Sequence, residues 1–173
     1  NIRKGVNRVS YKGFIKEVEN FPTKGVNFKD ISPLLADQQI FISAIVEMGK
    51  RVRLPDYWLG IDARGFIFAS ALATYYGGGV VMCRKGGKLP PIDTRTLEYD
   101  TEYSKDILQL KRGSGEVVIV DDVLATGGTI RAANTLAKNA GYEVVGNLVL
   151  IDLKYVPRVD DFDLKVRSVV EYE

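Results

Sequence analysis

Val117-Val118-Ile119-Val120-Asp121-Asp122-Val123-Leu124-Ala125-Thr126-Gly127-Gly128-Thr129 is the stretch on which the reading of this chain turns. Four β-branched apolar residues, Val117 to Val120, predict a strand buried on both faces. Two carboxylates, Asp121 and Asp122, stand where that strand ends. After the Thr-Gly-Gly-Thr loop, Ile130, Ala133, Leu136, Ala137 and Ala140 recur at helical spacing, with Gly141 as the stop. In open α/β sheets, ligands gather at the carboxyl ends of strands. A glycine loop opening a helix offers backbone N–H donors and the positive end of the helix dipole, which suit a phosphate. Gly127 and Gly128 let the backbone approach it closely, and Thr126 and Thr129 add hydroxyls. The carboxylates repel a phosphate but suit sugar hydroxyls or a divalent cation. A solvated acidic turn is the plainer alternative. The loop that follows favours a ribose-phosphate pocket.

The same logic recurs upstream. Tyr57 to Ile61 reads as a strand, Asp62-Ala63-Arg64-Gly65 as a tight turn, and Phe66 to Tyr76 as an almost wholly apolar helix. An arginine fork at a helix start suits pyrophosphate, although an exposed turn would also carry Arg64. Val80 to Cys83 forms another strand, and the basic residues Arg84, Lys85 and Lys88 follow at the same sheet edge. That position favours anion binding over a merely solvated basic loop. Gly77-Gly78-Gly79 fits neither a dinucleotide fingerprint nor a Walker-type loop. Val144 to Ile151 and Leu164 to Val170 are further strands. Ile40, Phe41, Ala44, Ile45, Met48 and Val52 mark a sheet-covering helix, with Asp37 as its cap and Pro55 as its end. Tyr11 to Glu19 is expected to be a short amphipathic helix, and Asn20 to Pro33 an ordered loop. From Gly86 to about Lys105 no core element is evident, and a loop this long is usually a functional lid. Alternating strands and helices give the class: α/β, one domain over residues 1–173, with a mainly parallel twisted sheet, helices on both faces and a small hood.

Composition narrows the chemistry. The 173 residues are 46% hydrophobic and 27% charged, enough for a sizeable core in an ordinary soluble chain. A net charge of +2 marks no nucleic-acid partner. No apolar run approaches the roughly eighteen residues of a membrane helix, and no signal peptide is read, so we expect a cytoplasmic protein without a membrane partner. The single Cys83 cannot form an internal disulfide. There is no histidine at all, which removes Ser-His and Cys-His nucleophile pairs and histidine metal sites. Catalysis must run on carboxylates, Lys, Arg, Tyr, backbone donors or a hard cation.

Five segments carry a family resemblance. Phe21-Pro22-Thr23-Lys24-Gly25-Val26-Asn27-Phe28-Lys29-Asp30-Ile31-Ser32-Pro33, Asp62-Ala63-Arg64-Gly65-Phe66, Arg84-Lys85-Gly86-Gly87-Lys88-Leu89-Pro90, Leu97-Glu98-Tyr99 and the opening stretch occur in this order. In them the chain resembles the type I phosphoribosyltransferases, and their adenine-specific branch in particular. The resemblance implies transfer of the 5-phosphoribosyl group of phosphoribosyl pyrophosphate (PRPP) to adenine, giving AMP and pyrophosphate in purine salvage. It implies Asp121, Asp122, Ala125, Thr126, Gly127, Gly128 and Thr129 for ribose phosphate. Asp62, Ala63, Arg64, Arg84, Lys85 and Lys88 would take pyrophosphate, with the Asp62–Ala63 bond cis. Phe28 would stack on the purine, with Val123 and the backbones of Asn27 and Lys29 around it. Phe28 as a core anchor is the competing reading. Glu98 is the implied general acid/base, beside catalytic Arg64 and Asp122. Tyr99 would sit on a lid over about residues 85–106. The family pattern continues Glu-Tyr with Gly, where this chain has Asp100. Glu98 as a surface carboxylate is the alternative. Mg²⁺ is the implied cofactor, held by PRPP and water rather than directly by protein, and a homodimer is the implied assembly.

Two other functions are compatible with the same pocket. One is transfer to a 6-oxopurine such as hypoxanthine or guanine, because Asn27 is polar where an aliphatic residue is usual. The other is a PRPP- or nucleotide-sensing regulator, although no DNA-binding extension is read.

Overall fold

Val117 to Val120 are fully buried, as a strand between two helical layers must be. The computed structural model describes residues 9–101 and 104–173. Residues 1–8 of the expected domain, and Glu102 and Tyr103 of the expected lid, lie outside the described residues. The chain divides into two compact units, Asn1–Ala44 and Ile45–Glu173.

In the first unit a 3-10 helix, Tyr11–Phe14, leads into strand β1 (Lys16–Glu19). This corrects the helix expected over Tyr11 to Glu19. Lys16 to Glu19 pairs antiparallel with β2 (Asn27–Asp30), and that ladder overrides the helical spacing of Phe14, Ile15 and Val18. The segment read as a loop, Asn20 to Pro33, thus holds a strand and the start of helix α1 (Ser32–Ala36). Helix α2 (Gln38–Gly49) begins as expected, with Asp37 Oδ1 accepting from Gln39 N and Ile40 N at 3.0 and 3.1 Å. It ends at Gly49, before Pro55.

Among the described residues, the second unit is built on a seven-stranded sheet. Its strands are β3 (Tyr57–Ile61), β4 (Gly79–Lys85), β5 (Thr94–Asp100), β6 (Lys105–Lys111), β7 (Glu116–Leu124), β8 (Glu143–Leu153) and β9 (Arg167–Tyr172), in the order β5-β6-β4-β3-β7-β8-β9. From β4 to β9 neighbours run parallel; β6 and β5 add an antiparallel hairpin on the β4 side. Helix α3 (Arg64–Tyr76) and helix α4 (Gly128–Ala140) take opposite faces. The apolar stripe of α4, Ile130, Ala133, Leu136 and Ala137, packs with Leu59, Ile61, Val117 and Ile119. The other set of alternate positions includes Gly60, whose added Cβ would lie 3.0 Å from Ala69 Cβ of α3. The lid expected over 85–106 is therefore largely ordered as β5 and the start of β6. Leu97 and Tyr99 alternate with exposed Glu98 along β5, a period-2 pattern too short for the sequence to announce.

Candidate active site

Register brings the two candidate turns to one edge. Gly60 of β3 is level with Met82 of β4 and Val120 of β7, and Ile61 is level with Cys83. The next residues are Asp62, just past the end of β3, and Arg84 and Asp121, still within β4 and β7. Asp62 N donates to Cys83 O at 2.9 Å, and the Asp62–Ala63 peptide is cis. Gly65 is buried, and a Cβ there would meet Val120 O at 2.6 Å and Asp121 Oδ1 at 3.3 Å. Only glycine lets the first turn lie this close to the second.

The contact that joins them is ionic. Arg64, at the start of α3, donates through Nε to Asp122 Oδ2. Asp122 is buried and Arg64 half-exposed, so one end of the guanidinium is fixed and the rest faces outward. Asp121 Oδ1 accepts from Asp122 N at 2.9 Å. Burial pushes the Asp121 carboxyl well above its usual range, and the charge on Asp122 pushes the same way; Arg64 works against both.

The pyrophosphate candidates gather around Asp62, whose side chain is 5% exposed. Arg84 Nε lies 3.4 Å and Lys88 Nζ 3.5 Å from Asp62 Oδ2, and Lys85 N donates to the same oxygen at 3.4 Å. Burial alone would raise the Asp62 carboxyl; these donors outweigh it and hold it below the usual carboxylate range. The Arg84 guanidinium also lies 5.9 Å from the centre of the Phe66 ring.

Between Asp122 and α4 lies a recess of about 100 Å³ walled by Asp121, Val123, Ala125, Thr126, Gly127 and Thr129 among others. Gly127 adopts φ +85°, and Phe162 would lie 2.4 Å from a Cβ added there. Thr126 Oγ1 accepts from Gly128 N at 3.4 Å. Asp121, Ala125, Thr126, Gly127 and Thr129 of the ribose-phosphate candidates thus share one recess with Val123, while Asp122 and Gly128 do not line it. Among the described residues no three His, Cys, Asp or Glu converge as a metal cage. The hard oxygens of Asp121 and Asp122 suit a hydrated Mg²⁺ arriving on substrate phosphates, which keeps several waters and few protein ligands.

Tyr99 also reaches this site: its hydroxyl lies 3.3 Å from Thr129 Oγ1. Glu98 does not. It points from the opposite face of β5 and pairs with Lys105 at 2.9 Å in solvent. The purine candidates other than Val123 lie in the first unit. Phe28 packs edge-on against Phe21, with ring centres 5.2 Å apart. Asn27 Nδ2 donates to Glu17 Oε2 at 2.9 Å, and buried Lys29 Nζ meets the same oxygen at 2.5 Å. Alternation puts these side chains on the face of β2 opposite Phe28, so the Asn27 amide turns away from a base stacked on that ring.

Sequence reasoning missed the segment after β8. Asp152 Oδ1 accepts from Arg158 Nη2, and Arg158 Nη1 donates to Ala125 O. Val159 N donates to Thr126 O at 2.8 Å. The available signal was position alone, since the segment leaves a parallel strand at the same sheet edge.

A phosphoribosyl transferase domain model matches residues 35–170. The adenine phosphoribosyltransferase of Hydrogenovibrio crunogenus is 42% identical over 92% of this chain and 95% of its own. That of Bdellovibrio bacteriovorus is 43% identical over 93% and 98%. Among solved structures, the adenine phosphoribosyltransferase of Thermoanaerobacter pseudethanolicus superposes with a TM-score of 0.84 at 37% identity, covering 93% of this chain and 97% of the other. The Giardia lamblia enzyme complexed with 9-deazaadenine gives 0.84 at 30% identity, covering 94% and 96%. Two candidate turns joined by the Arg64–Asp122 ion pair, a glycine loop opening α4 and this degree of kinship agree: the chain belongs to the phosphoribosyltransferase family, among the adenine phosphoribosyltransferases.

Proposed function

We infer that this protein joins adenine to the 5-phosphoribosyl group of PRPP, giving AMP and pyrophosphate, with residues 1–173 acting as one phosphoribosyltransferase domain. The observation that carries the reading is the Arg64–Asp122 ion pair, which ties a pyrophosphate-type turn to a ribose-phosphate loop. A bond forms between the base nitrogen and C1 of the ribose as the C1–O bond to pyrophosphate breaks. The barrier is charge separation between a cationic sugar and a departing anion. Asp121 and Asp122 hold the ribose hydroxyls and favour positive charge on the sugar. Arg64, Arg84, Lys85 and Lys88 receive the pyrophosphate, with Asp62 and Ala63 shaping the turn. Ala125 to Thr129 hold the 5′-phosphate. Positioning and fixed charge supply most of the acceleration. When bound, Mg²⁺ supplies further neutralisation of the phosphates. In the first unit Phe28 and the backbones of Asn27 and Lys29 are the groups we assign to the purine; in the second it is Val123.

Glu98 is the group we assign to the proton that the base gives up. Its outward position requires the β5–β6 hairpin to turn over the site, which would also exclude water. A homodimer is supported by exposed Val80 and Met82 on one face of β4 and by exposed Ile67 and Tyr75 on α3. No helix among the described residues is long and apolar enough to cross a membrane, and we place the enzyme in the cytoplasm. The test compares adenine with hypoxanthine, each with PRPP and Mg²⁺, by chromatography of the products. AMP from adenine is expected; a preference for hypoxanthine, or no product from either, would overturn the reading.

A further inference from the structure

We propose that Arg158, held by Asp152, is a positioning residue for the 5′-phosphate: it turns the carbonyls of the glycine loop outward so that the loop's N–H groups face the ligand. This rests on the ribose-phosphate reading of that loop. A loop that binds an anion through its backbone has a built-in hazard, because each peptide also carries a carbonyl that repels the anion. In a planar trans peptide the C=O and the following N–H point in opposite directions. Anchoring the oxygen on one side therefore aims the next N–H to the other.

The segment after β8 supplies such anchors for two successive peptides. Arg158 Nη1 donates to Ala125 O, which aims Thr126 N–H away from the guanidinium. Val159 N donates to Thr126 O at 2.8 Å, which aims Gly127 N–H the same way. Arg158 and Val159 do not line the recess of about 100 Å³ beside Asp121; with Tyr99, Thr126, Gly128 and Thr129 they line one of about 550 Å³. Arg158 is itself held. Nη2 donates to Asp152 Oδ1, and Nη1 also reaches Leu153 O at 3.0 Å and Val156 O at 3.3 Å. Asp152 is 9% exposed and lies on β8 level with Leu124 of β7, so the anchor is tied to the sheet. The planar guanidinium serves carboxylate and carbonyls at once, which a lysine ammonium on its flexible stem does not reproduce.

The test separates the two anions. Binding of ribose 5-phosphate and of pyrophosphate, each with Mg²⁺, is measured by calorimetry for the wild type, Arg158→Ala and Arg158→Lys. Loss of a charge-assisted hydrogen bond predicts a ribose 5-phosphate Kd raised about tenfold in Arg158→Ala. Arg158→Lys should fall between that variant and the wild type. Pyrophosphate Kd should stay within about twofold, since its residues lie in the turn between β3 and α3 and at and beyond the end of β4. In steady state, KM for PRPP should rise while KM for adenine holds. If Arg158→Ala does not fold, Arg158→Lys carries the measurement. Unchanged ribose 5-phosphate affinity, or equal loss of both anions, overturns the proposal. A wild type that binds neither anion overturns the ribose-phosphate reading as well.

Discussion

Replacing Gly65 by alanine tests the closeness of the two turns. The new methyl would lie 2.6 Å from Val120 O, against 3.4 Å for ordinary contact, a deficit of 0.8 Å. Neither obstacle yields easily. Val120 O belongs to the backbone of β7, which is buried and paired on both sides. The start of α3 must therefore retreat, taking Arg64 with it. Overpacking of this kind costs about 1–3 kcal/mol. For a chain of this size each kcal/mol lowers Tm by about 2–4 °C, so a fall of roughly 2–12 °C is expected. Activity should suffer more than stability. A misplacement near 1 Å at a catalytic centre can cost about 10²-fold, and we expect kcat/KM for PRPP to drop by about that factor. The assay follows AMP formation at saturating adenine with PRPP varied, alongside thermal unfolding. Gly13→Ala is the control, because a methyl there meets nothing within 4 Å. A Gly65→Ala enzyme that loses stability yet keeps kcat/KM within about twofold would refute the claim that catalysis needs this approach.

Two further outcomes follow from titratable groups. Asp121 is a carboxyl raised by burial and by Asp122, so its ionised form costs folding free energy. That cost is absent below its ordinary value of 3.8 and grows as pH rises above it. Asp121→Asn should therefore melt higher than the wild type at pH 8 without ligand, with the gap closing towards pH 4; calorimetry showing the same gap at both ends would contradict this. Cys83 is fully buried, and burial pushes its thiol up to about 12. Iodoacetamide at pH 8 should label it only after unfolding, and mass spectrometry finding prompt alkylation of the native protein would count against that burial.

The parts of the fold legible in the sequence are those where one periodicity dominates. Trp58–Ile61 and Val117–Val120 are apolar runs buried on both faces, and the stripe from Ile130 to Ala140 has no rival reading. Both candidate turns were legible for the same reason, because each follows such a strand. Where two periodicities compete, partners decide. Lys16 to Glu19 carries a helical hint but becomes a strand because Asn27–Asp30 lies beside it, a partner that local sequence does not reveal. The hairpin of β5 and β6 hides likewise, since only Leu97 and Tyr99 of β5 pack on the core. Residue types pointed to Arg64 and Asp122 singly; that they meet is a product of register. Arg158 was invisible because its role is to hold carbonyls, and a carbonyl leaves no trace in side-chain identity.

The alignment of Tyr57 with Val117 has a consequence for how this scaffold can change. Because the two turns proposed to receive anions are suspended from adjacent strands, the span between them belongs to the sheet and not to the turns. Leaving-group and donor ends can be rewritten separately while the gauge between them stays constant. Diversifying Val123 and leaving 57–65, 117–122 and 125–129 untouched would sample new acceptors on an unchanged donor, a modularity that follows from strand pairing.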